Sequence, residues 1–463
     1  MKKDDDPLLS IITVNYNGKH YLPGLFKSIR ELNYPSSKIQ AIMVDNNSQD
    51  GSVEFVHKNF PEVNIVKLDE NQGYAGGNNA GFKAAEGKYI ALINNDCEVG
   101  KNWIVEMLDI FRQAPGTSRI GAVGSKVLFY YPYLPLEFLS DSINKRQNRR
   151  PSSFRRLGVR VSDVKIIGAG NSVNKSIKYL EGFYPRQTGK ENKAFYWTNG
   201  SGYLTLPIED QDKDMEVELE LFSHIVPNKL KVIIGGELLE EFELAAGSRK
   251  VRLSVSKSYY QHKKDIINSC GTKINRSFYS MDRGYLSFDE GQYARAEEVF
   301  SLSGSSFMVS REMLEDVGYF DQKFFTYYED IDLFWRARLK GWKHFFTPSS
   351  VARHHHCGTG AEWSYSFTYY VLRNRLLMIF KCGWPALFFK SYVAFVASMI
   401  FNTCYFLVNL AAGRRLERVD IPIRIKLFLK FFYLLPQYLA ERIRIRSSAN
   451  IKDREIKGWT KNF

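Results

Sequence analysis

Residues 88–99, KYIALINNDCEV, run from a short apolar segment straight into Asn94-Asn95-Asp96, and the reading of that junction decides the fold. An apolar run this short, bounded by polar residues, fits a strand buried on both faces. The same junction recurs upstream. LLSIITV (8–14) ends in Asn15-Tyr16-Asn17, and IQAIMV (39–44) ends in Asp45-Asn46-Asn47. VNIVKL (63–68) is a further strand candidate. Helix-like segments alternate with these strands: His20 to Glu31, SVEFVHKNF (52–60) and AGGNNAGFKAA (75–85). Strands alternating with helices predict an α/β fold, a mostly parallel sheet with helices on both faces. In such sheets ligands bind beyond the carboxyl ends of the strands, which is where the polar clusters fall. Each cluster alone is also explained as a turn or a helix N-cap. Three at matching ends point to a pocket.

The chain has 463 residues, enough for two or three domains. With 44% hydrophobic and 14% aromatic residues it is globular. The formal net charge of +14 favours anionic partners. Much of that charge is local: from Gly413 onward there are 13 Lys/Arg against 5 Asp/Glu. No helix-turn-helix, zinc-finger or RNP pattern is present, so nucleic acid is not the expected partner. Cys97, Cys270, Cys357, Cys382 and Cys404 form no CxxC pair, which suggests neither a disulfide framework nor a thiolate zinc site. A reducing cytosol fits them. MKKDDDP at the start has no apolar segment of the secretory kind.

Further along, MEVELELF (215–222) alternates strictly, KVIIGGELLEEFEL (231–244) reads as a hairpin about Gly235-Gly236, and RKVRLSVS (250–257) is another strand. These predict an antiparallel β-sandwich inserted at 190–278. It divides a domain whose parts are 1–189 and 279–365. NKRQNRRPSSFRR (144–156) is basic and reads as a mobile loop. Residues 366–463 form basic, apolar C-terminal helices. Within them SYVAFVASMIFNTCYFLVNLAA (391–412) lacks any charge and is long enough to cross a bilayer. IPIRIKLFLKFFYLLPQYLAERIRIR (421–446) mixes basic and apolar residues as interfacial helices do. A cytoplasmic chain attached to, or anchored in, the inner face of an anionic membrane is expected.

Asp96 is the only carboxylate of its triplet, and an acid at a strand end can hold a divalent cation that bridges phosphates. In RHHH (353–356) a single imidazole could complete an oxygen-rich Mg²⁺ or Mn²⁺ site, and a surface histidine cluster is the alternative. TYYEDIDLFWR (326–336) sets Glu329, Asp330 and Asp332 among aromatic residues. In the first turn of a helix they complement its dipole. One of them could instead be a general base, its pKa raised by the apolar wall.

Taken together, TVNYNG (13–18), VDNNSQDGS (44–52), NQGYAGGNNAG (71–81), YIALINNDCEV (89–99), GYFDQKFFTYYEDIDLFWRARLKGW (318–342) and RHHH resemble family 2 glycosyltransferases, most of all the rhamnosyltransferase-like branch of bacterial surface polysaccharide synthesis. The resemblance covers residues 8–130 and 285–360. It implies a GT-A fold and an inverting, metal-assisted transfer from a UDP- or dTDP-linked sugar to a glycan or lipid-linked acceptor. It also implies roles for single residues. Asn15, Tyr16, Asp45, Asn46, Asn78 and Asn95 would line the nucleotide-sugar pocket. Asp96 and His354 would meet the metal and diphosphate. Asp330 would be the catalytic base, with Glu329 orienting it or the acceptor. The motif around Asp96 lacks the first acid of the usual DxD pattern, and the sandwich is not part of the minimal fold. A non-catalytic carbohydrate-binding or scaffold protein is the main alternative. A nucleotidyltransferase would want a GxxxxGK[ST] loop, which GYAGGNNAG lacks.

Overall fold

The computed structural model describes residues 6–113, 119–147, 150–188, 193–245, 247–356, 364–411 and 421–460. Cys357, residue 412 and the expected boundary at 189/190 lie outside them. The chain forms two compact units. The first comprises Met1–Leu128, Asn268–Arg283 and Tyr293–Phe463, the second Phe129–Ile267 and Gly284–Gln292.

In the first unit the apolar runs become β1 (Leu9–Asn15), β2 (Ile39–Asp45), β3 (Asn64–Lys67) and β4 (Tyr89–Ile93). β1 pairs in parallel with both β2 and β4, and β2 with β3. β5 (Cys97–Val99) and β6 (Ile120–Phe129) follow in the chain. The other half of the sheet is antiparallel where the strand Ser306–Ser310 lies between β4 and β6. The sheet is therefore mixed. Its helices are α1 (Leu22–Arg30), α2 (Ser52–Asn59), α3 (Gly73–Ala84) and α4 (Trp103–Arg112). α1 buries Leu22, Leu25, Phe26 and Ile29, and α4 buries Trp103, Ile104, Met107 and Leu108, each at helical spacing. α3 packs closer than either. A Cβ on Gly77 would lie 2.6 Å from the Val14 side chain, and one on Gly81 2.5 Å from Ile12. The glycines of GYAGGNNAG thus let a helix settle on β1.

The second unit is a sandwich of two five-stranded antiparallel sheets. One sheet is centred on Val159–Ile166 and Met215–Ser223, the other on Tyr133–Ser140 and Asn228–Ile234. Met215–Ser223 alternates between buried and half-buried along its whole length. The hairpin at Gly235-Gly236 has φ of 59° and 90° at its two turn residues, the conformation glycine supplies without strain. A single turn of helix, α5 (Asn171–Lys175), interrupts the strands.

This sandwich begins well before the expected residue 190. Pro135 argues against a central strand, yet Tyr133–Ser140 is one. Its ladder with Asn228–Ile234 reaches only from Ser140 to Glu137, so Pro135 sits beyond its end and faces a partner, Thr205, on one side alone. The basic segment read as a mobile loop instead contains the antiparallel pair Ile143–Gln147 and Arg150–Leu157; residues 148–149 lie outside the described set.

The chain then returns to the first unit. α6 (Arg311–Val317) and α7 (Glu329–Leu339) precede the strand Lys343–His354, whose end pairs with β5. α8 (Tyr365–Cys382), α9 (Pro385–Ala411) and α10 (Ile421–Ser447) follow. α8 is built into a core with Phe278, Phe324 and Trp335. α10 buries Ile423, Leu427, Phe431, Leu434 and Tyr438, one stripe of an amphipathic helix, in the same core. α9 is long and apolar enough to cross a membrane and is mostly exposed.

Candidate active site

The polar ends of the first unit's strands are tied to one another. Asn95 Nδ2 donates to Asn15 Oδ1 at 2.9 Å, and Asn15 Nδ2 donates to Ser48 Oγ at 3.1 Å. The Ser48 backbone N–H donates to Asp45 Oδ2 at 3.1 Å. The other Asp45 oxygen, Oδ1, is buried without a hydrogen-bond partner. A buried carboxylate oxygen left this way costs free energy until a donor arrives. Tyr16 is 41% exposed at the mouth of the same loop. Asn17 and Asn47, next to these residues, take positive φ of 52° and 65°, a conformation asparagine tolerates.

Asp96 lies just past β4, 3.1 Å from His354 Nε2 through Oδ1. His354 Nδ1 is 2.9 Å from Asn268 Oδ1. With Nδ1–H donating to that amide oxygen, Nε2 presents its lone pair toward the carboxylate. Two acceptors then face each other, an arrangement satisfied by a proton or a cation between them. Burial tends to raise the Asp96 pKa, but the neighbouring His354 ring outweighs it and holds the carboxyl below its ordinary value. Ligand atoms of Asp96, Cys97 and His354 lie within 4.8 Å of one another, a candidate metal site. Cys97 is a poor third ligand, because burial pushes its thiol pKa well up and keeps it protonated. The donor set that fits is one carboxylate and one imidazole, suited to a hard or borderline divalent ion with other oxygens completing its shell. His355 donates its backbone N–H to the Asp96 carbonyl at 3.0 Å, and its ring lies 5.0 Å from that of Tyr21.

The three acids of α7 divide. Asp332 is neutralised by Arg336 at 2.9 Å and Lys381 at 3.0 Å. Glu329 and Asp330 have no cationic partner among the described residues. Asp330 Oδ2 accepts from the Gly304 N–H at 3.0 Å and Oδ1 from the Ile331 N–H at 2.7 Å. Burial raises its pKa to about 7 in spite of these bonds, and Asp282 adds to the rise. Glu329 is raised well above its ordinary range, by burial first and by Asp330 second, and its Oε2 has no partner. Both influences push Glu329 toward its protonated form.

Gly304 joins the two loci. It receives the Tyr74 hydroxyl on its carbonyl and gives its N–H to Asp330. The next residue, Ser305, accepts the Asn94 N–H at 3.0 Å. The structure therefore brings Asn15, Asn95, Asp96, His354 and Asp330 to one end of the sheet. Asn46 and Asn78 are engaged internally. Asn46 donates to Asn71 Oδ1 and the Gly73 carbonyl and accepts the Gln72 N–H at 2.8 Å, fixing the turn before α3. Asn78 donates to the Tyr74 carbonyl one helical turn back, at 2.9 Å.

The backbone leading into the acids is strained. Phe325, Tyr327 and Tyr328 have φ of 64°, 68° and 71°, costing about 1–3 kcal/mol each. Asn374 of α8 holds it, its Nδ2 lying 2.9, 2.9 and 2.7 Å from the carbonyl oxygens of Phe324, Thr326 and Tyr327. Arg373 donates to the carbonyls of Lys323 and Phe324. Asn268, Gly304 and Asn374 were not singled out from sequence. Asn268 and Asn374 sit in apolar surroundings, IINSC and VLRNRLLM, and carry no pattern of their own.

A parallel half-sheet with loops converging at its carboxyl end, extended by antiparallel strands, defines a GT-A type α/β fold. Residues 10–167 match the model of glycosyl transferase family 2, and the chain carries a domain of that family. It is 29% identical over 129 residues to glycosyltransferase AglE of Haloferax volcanii, covering 27% of this chain and 41% of that protein. It is 43% identical over 54 residues to the N-acetylglucosaminyl-diphospho-decaprenol L-rhamnosyltransferase of Mycobacterium tuberculosis, covering 12% of this chain and 18% of that one. The chain thus spans less than half the length of these relatives. The structure of the Pyrobaculum calidifontis mannosyltransferase PcManGT, with GDP-Man and Mn²⁺, aligns over 98% of this chain and 89% of its own, at 12% identity and a TM-score of 0.40.

Proposed function

We propose that the chain is an inverting glycosyltransferase that moves a sugar from a UDP- or dTDP-linked donor to a hydroxyl of a glycan or lipid-linked acceptor in surface polysaccharide synthesis. The observation that carries this reading is Asp330, a half-buried carboxylate with no cationic partner among the described residues, raised to about 7 and tied through Gly304 to the loop that bears Asp96. A general base works best with a pKa near the working pH. Asp330 takes the acceptor hydroxyl proton as the acceptor oxygen bonds to the anomeric carbon. The bond from that carbon to the diphosphate breaks on the opposite face. A divalent cation such as Mg²⁺ or Mn²⁺, held by Asp96 and His354, would offset the charge of the departing diphosphate. Asp45 Oδ1, buried and unpartnered, suits a base N–H of the nucleotide, and the exposed Tyr16 suits its rim. Glu329, when protonated, can donate a hydrogen bond that orients Asp330 or the acceptor. Rhamnose is the donor sugar favoured by the branch resemblance. The exposed apolar α9 supports attachment to the inner face of a membrane.

A second activity is favoured by the sandwich. It holds a cavity of about 630 Å³ lined by Tyr203, Phe288, Glu137, Glu181 and Gln292, rings and polar groups of the kind that bind carbohydrate. The test is a panel of nucleoside-diphosphate sugars scored for protection against thermal unfolding, followed by transfer assays with the protecting donor. Protection and turnover by one donor are expected. Protection without turnover would leave a carbohydrate-binding protein.

A further inference from the structure

α8, α9 and α10 enclose a small cavity of about 170 Å³ with an unusual charge balance. Arg276, Arg375, Lys390 and Arg424 line it, and among the described residues no carboxylate does. Its floor is apolar, formed by Leu376, Leu387 and Phe395. Arg375 is fixed in place. Its Nε and one terminal nitrogen donate to the Ser277 carbonyl at 2.9 and 2.6 Å, and its guanidinium lies 3.8 Å from the Tyr279 ring. Arg424 Nε is buried with no hydrogen-bond partner. A buried guanidinium N–H without an acceptor is costly, and clustered cations without an acid repel one another. Both costs vanish if an anionic oxygen occupies the cavity.

The surroundings say what kind of anion. On the same helices, beside Lys390 and Arg424, Phe389 is 70% exposed, Val393 47%, Ile425 49% and Leu429 64%. A soluble phosphate or a nucleotide has no use for such a rim. An amphiphile does, with its head among the cations and its chain along α9.

We propose that this cavity binds the phosphate head of an anionic phospholipid. The inference rests on the reading that α9 and α10 face a bilayer. The phosphate oxygens would accept from Arg424 Nε and from the ammonium of Lys390, with Arg375 and Arg276 completing the charge. The site would then select anionic lipid by a defined pocket in addition to the diffuse attraction of the tail.

The test is flotation of the full chain with vesicles of phosphatidylcholine alone or mixed with phosphatidylglycerol. The pocket variant is Arg276→Gln, Lys390→Gln and Arg424→Gln; none of these three makes a side-chain ion pair or hydrogen bond among the described residues, and thermal unfolding checks that the variant is folded. A control, Lys426→Gln, Lys430→Gln and Arg444→Gln, removes the same charge from the exposed side of α10. Wild type is expected to prefer anionic vesicles. Both variants remove three cations, so the control should lose up to about a hundredfold in that partition and the pocket variant about tenfold more than the control. Equal losses in both variants would reduce the effect to diffuse charge and overturn the site. A pocket variant that floats normally but has a raised KM for acceptor would assign the cavity to an acceptor phosphate and overturn the phospholipid. If wild type floats on neither vesicle, the bilayer reading itself fails. If it floats equally on both, only the pocket does.

Discussion

Asp96, buried, and Asp330, half-buried, stand at the same end of one sheet, and their environments push them in opposite directions. Asp96 faces an imidazole and is held below its ordinary pKa; desolvation, helped by Asp282, raises Asp330 to about 7 against its two backbone N–H bonds. Burial alone does not set protonation. Desolvation raises both carboxyls and only Asp96 has a neighbour that reverses the rise, so one fold can keep one carboxylate as an anion for a cation and another as a proton acceptor.

The strongest way to break the contrast is to remove the titrating group. Asp330→Asn should lower the transfer rate by about 10³-fold while donor affinity by calorimetry stays within about twofold. Near-normal turnover would remove Asp330 from its role. Asp96→Ala should do the reverse, weakening Mn²⁺-dependent donor binding about a hundredfold with little effect on metal-free binding. Unchanged affinity with and without Mn²⁺ would end the metal assignment. Asn268→Ala leaves both acids in place but frees the His354 ring. A loss of about tenfold in Mn²⁺ affinity is expected, with donor-binding specificity unchanged. The smallest effect sharpens the comparison through stability. Because the folded Asp330 pKa lies above its unfolded value, native protein binds an extra proton between about pH 4 and 7, and its stability falls as pH rises through that window. Asp330→Asn should therefore raise Tm at pH 8 by a few degrees, and the gain should vanish by about pH 4. Asp96 has the opposite slope, its pairing stabilising the fold above the unfolded pKa and lost on acidification.

The legible parts of the sequence were those where one physical rule acts alone. Met215–Ser223 alternates because one face packs in the sandwich, and β1, β2 and β4 read as apolar runs because both faces are covered. Tyr133–Ser140 was hidden by Pro135, whose missing N–H is harmless only in the register the ladder adopts. Charge gave the other signal. Every charged side chain buried among the described residues, including Asp45, Asp96, Glu329, Arg375 and Lys381, lies in the first unit; the second buries only Ser, Thr and Asn among polar residues. The acids were visible as residues out of place among aromatics. Their partners were not, because Asn268 and Asn374 act through carbonyl oxygens and ring nitrogens that no local pattern encodes.

The grip of Asn374 on the carbonyls of residues 324–327 has a practical consequence. The helix that steadies the acids is the one that leads into the exposed, apolar α9, and α10 lies against it through Leu427, Phe431 and Tyr438. Trimming the tail to gain solubility, even as late as residue 384, strips a wall from that helix. A shortened protein that stays dispersed yet transfers nothing would have lost its scaffolding, with every catalytic side chain still encoded.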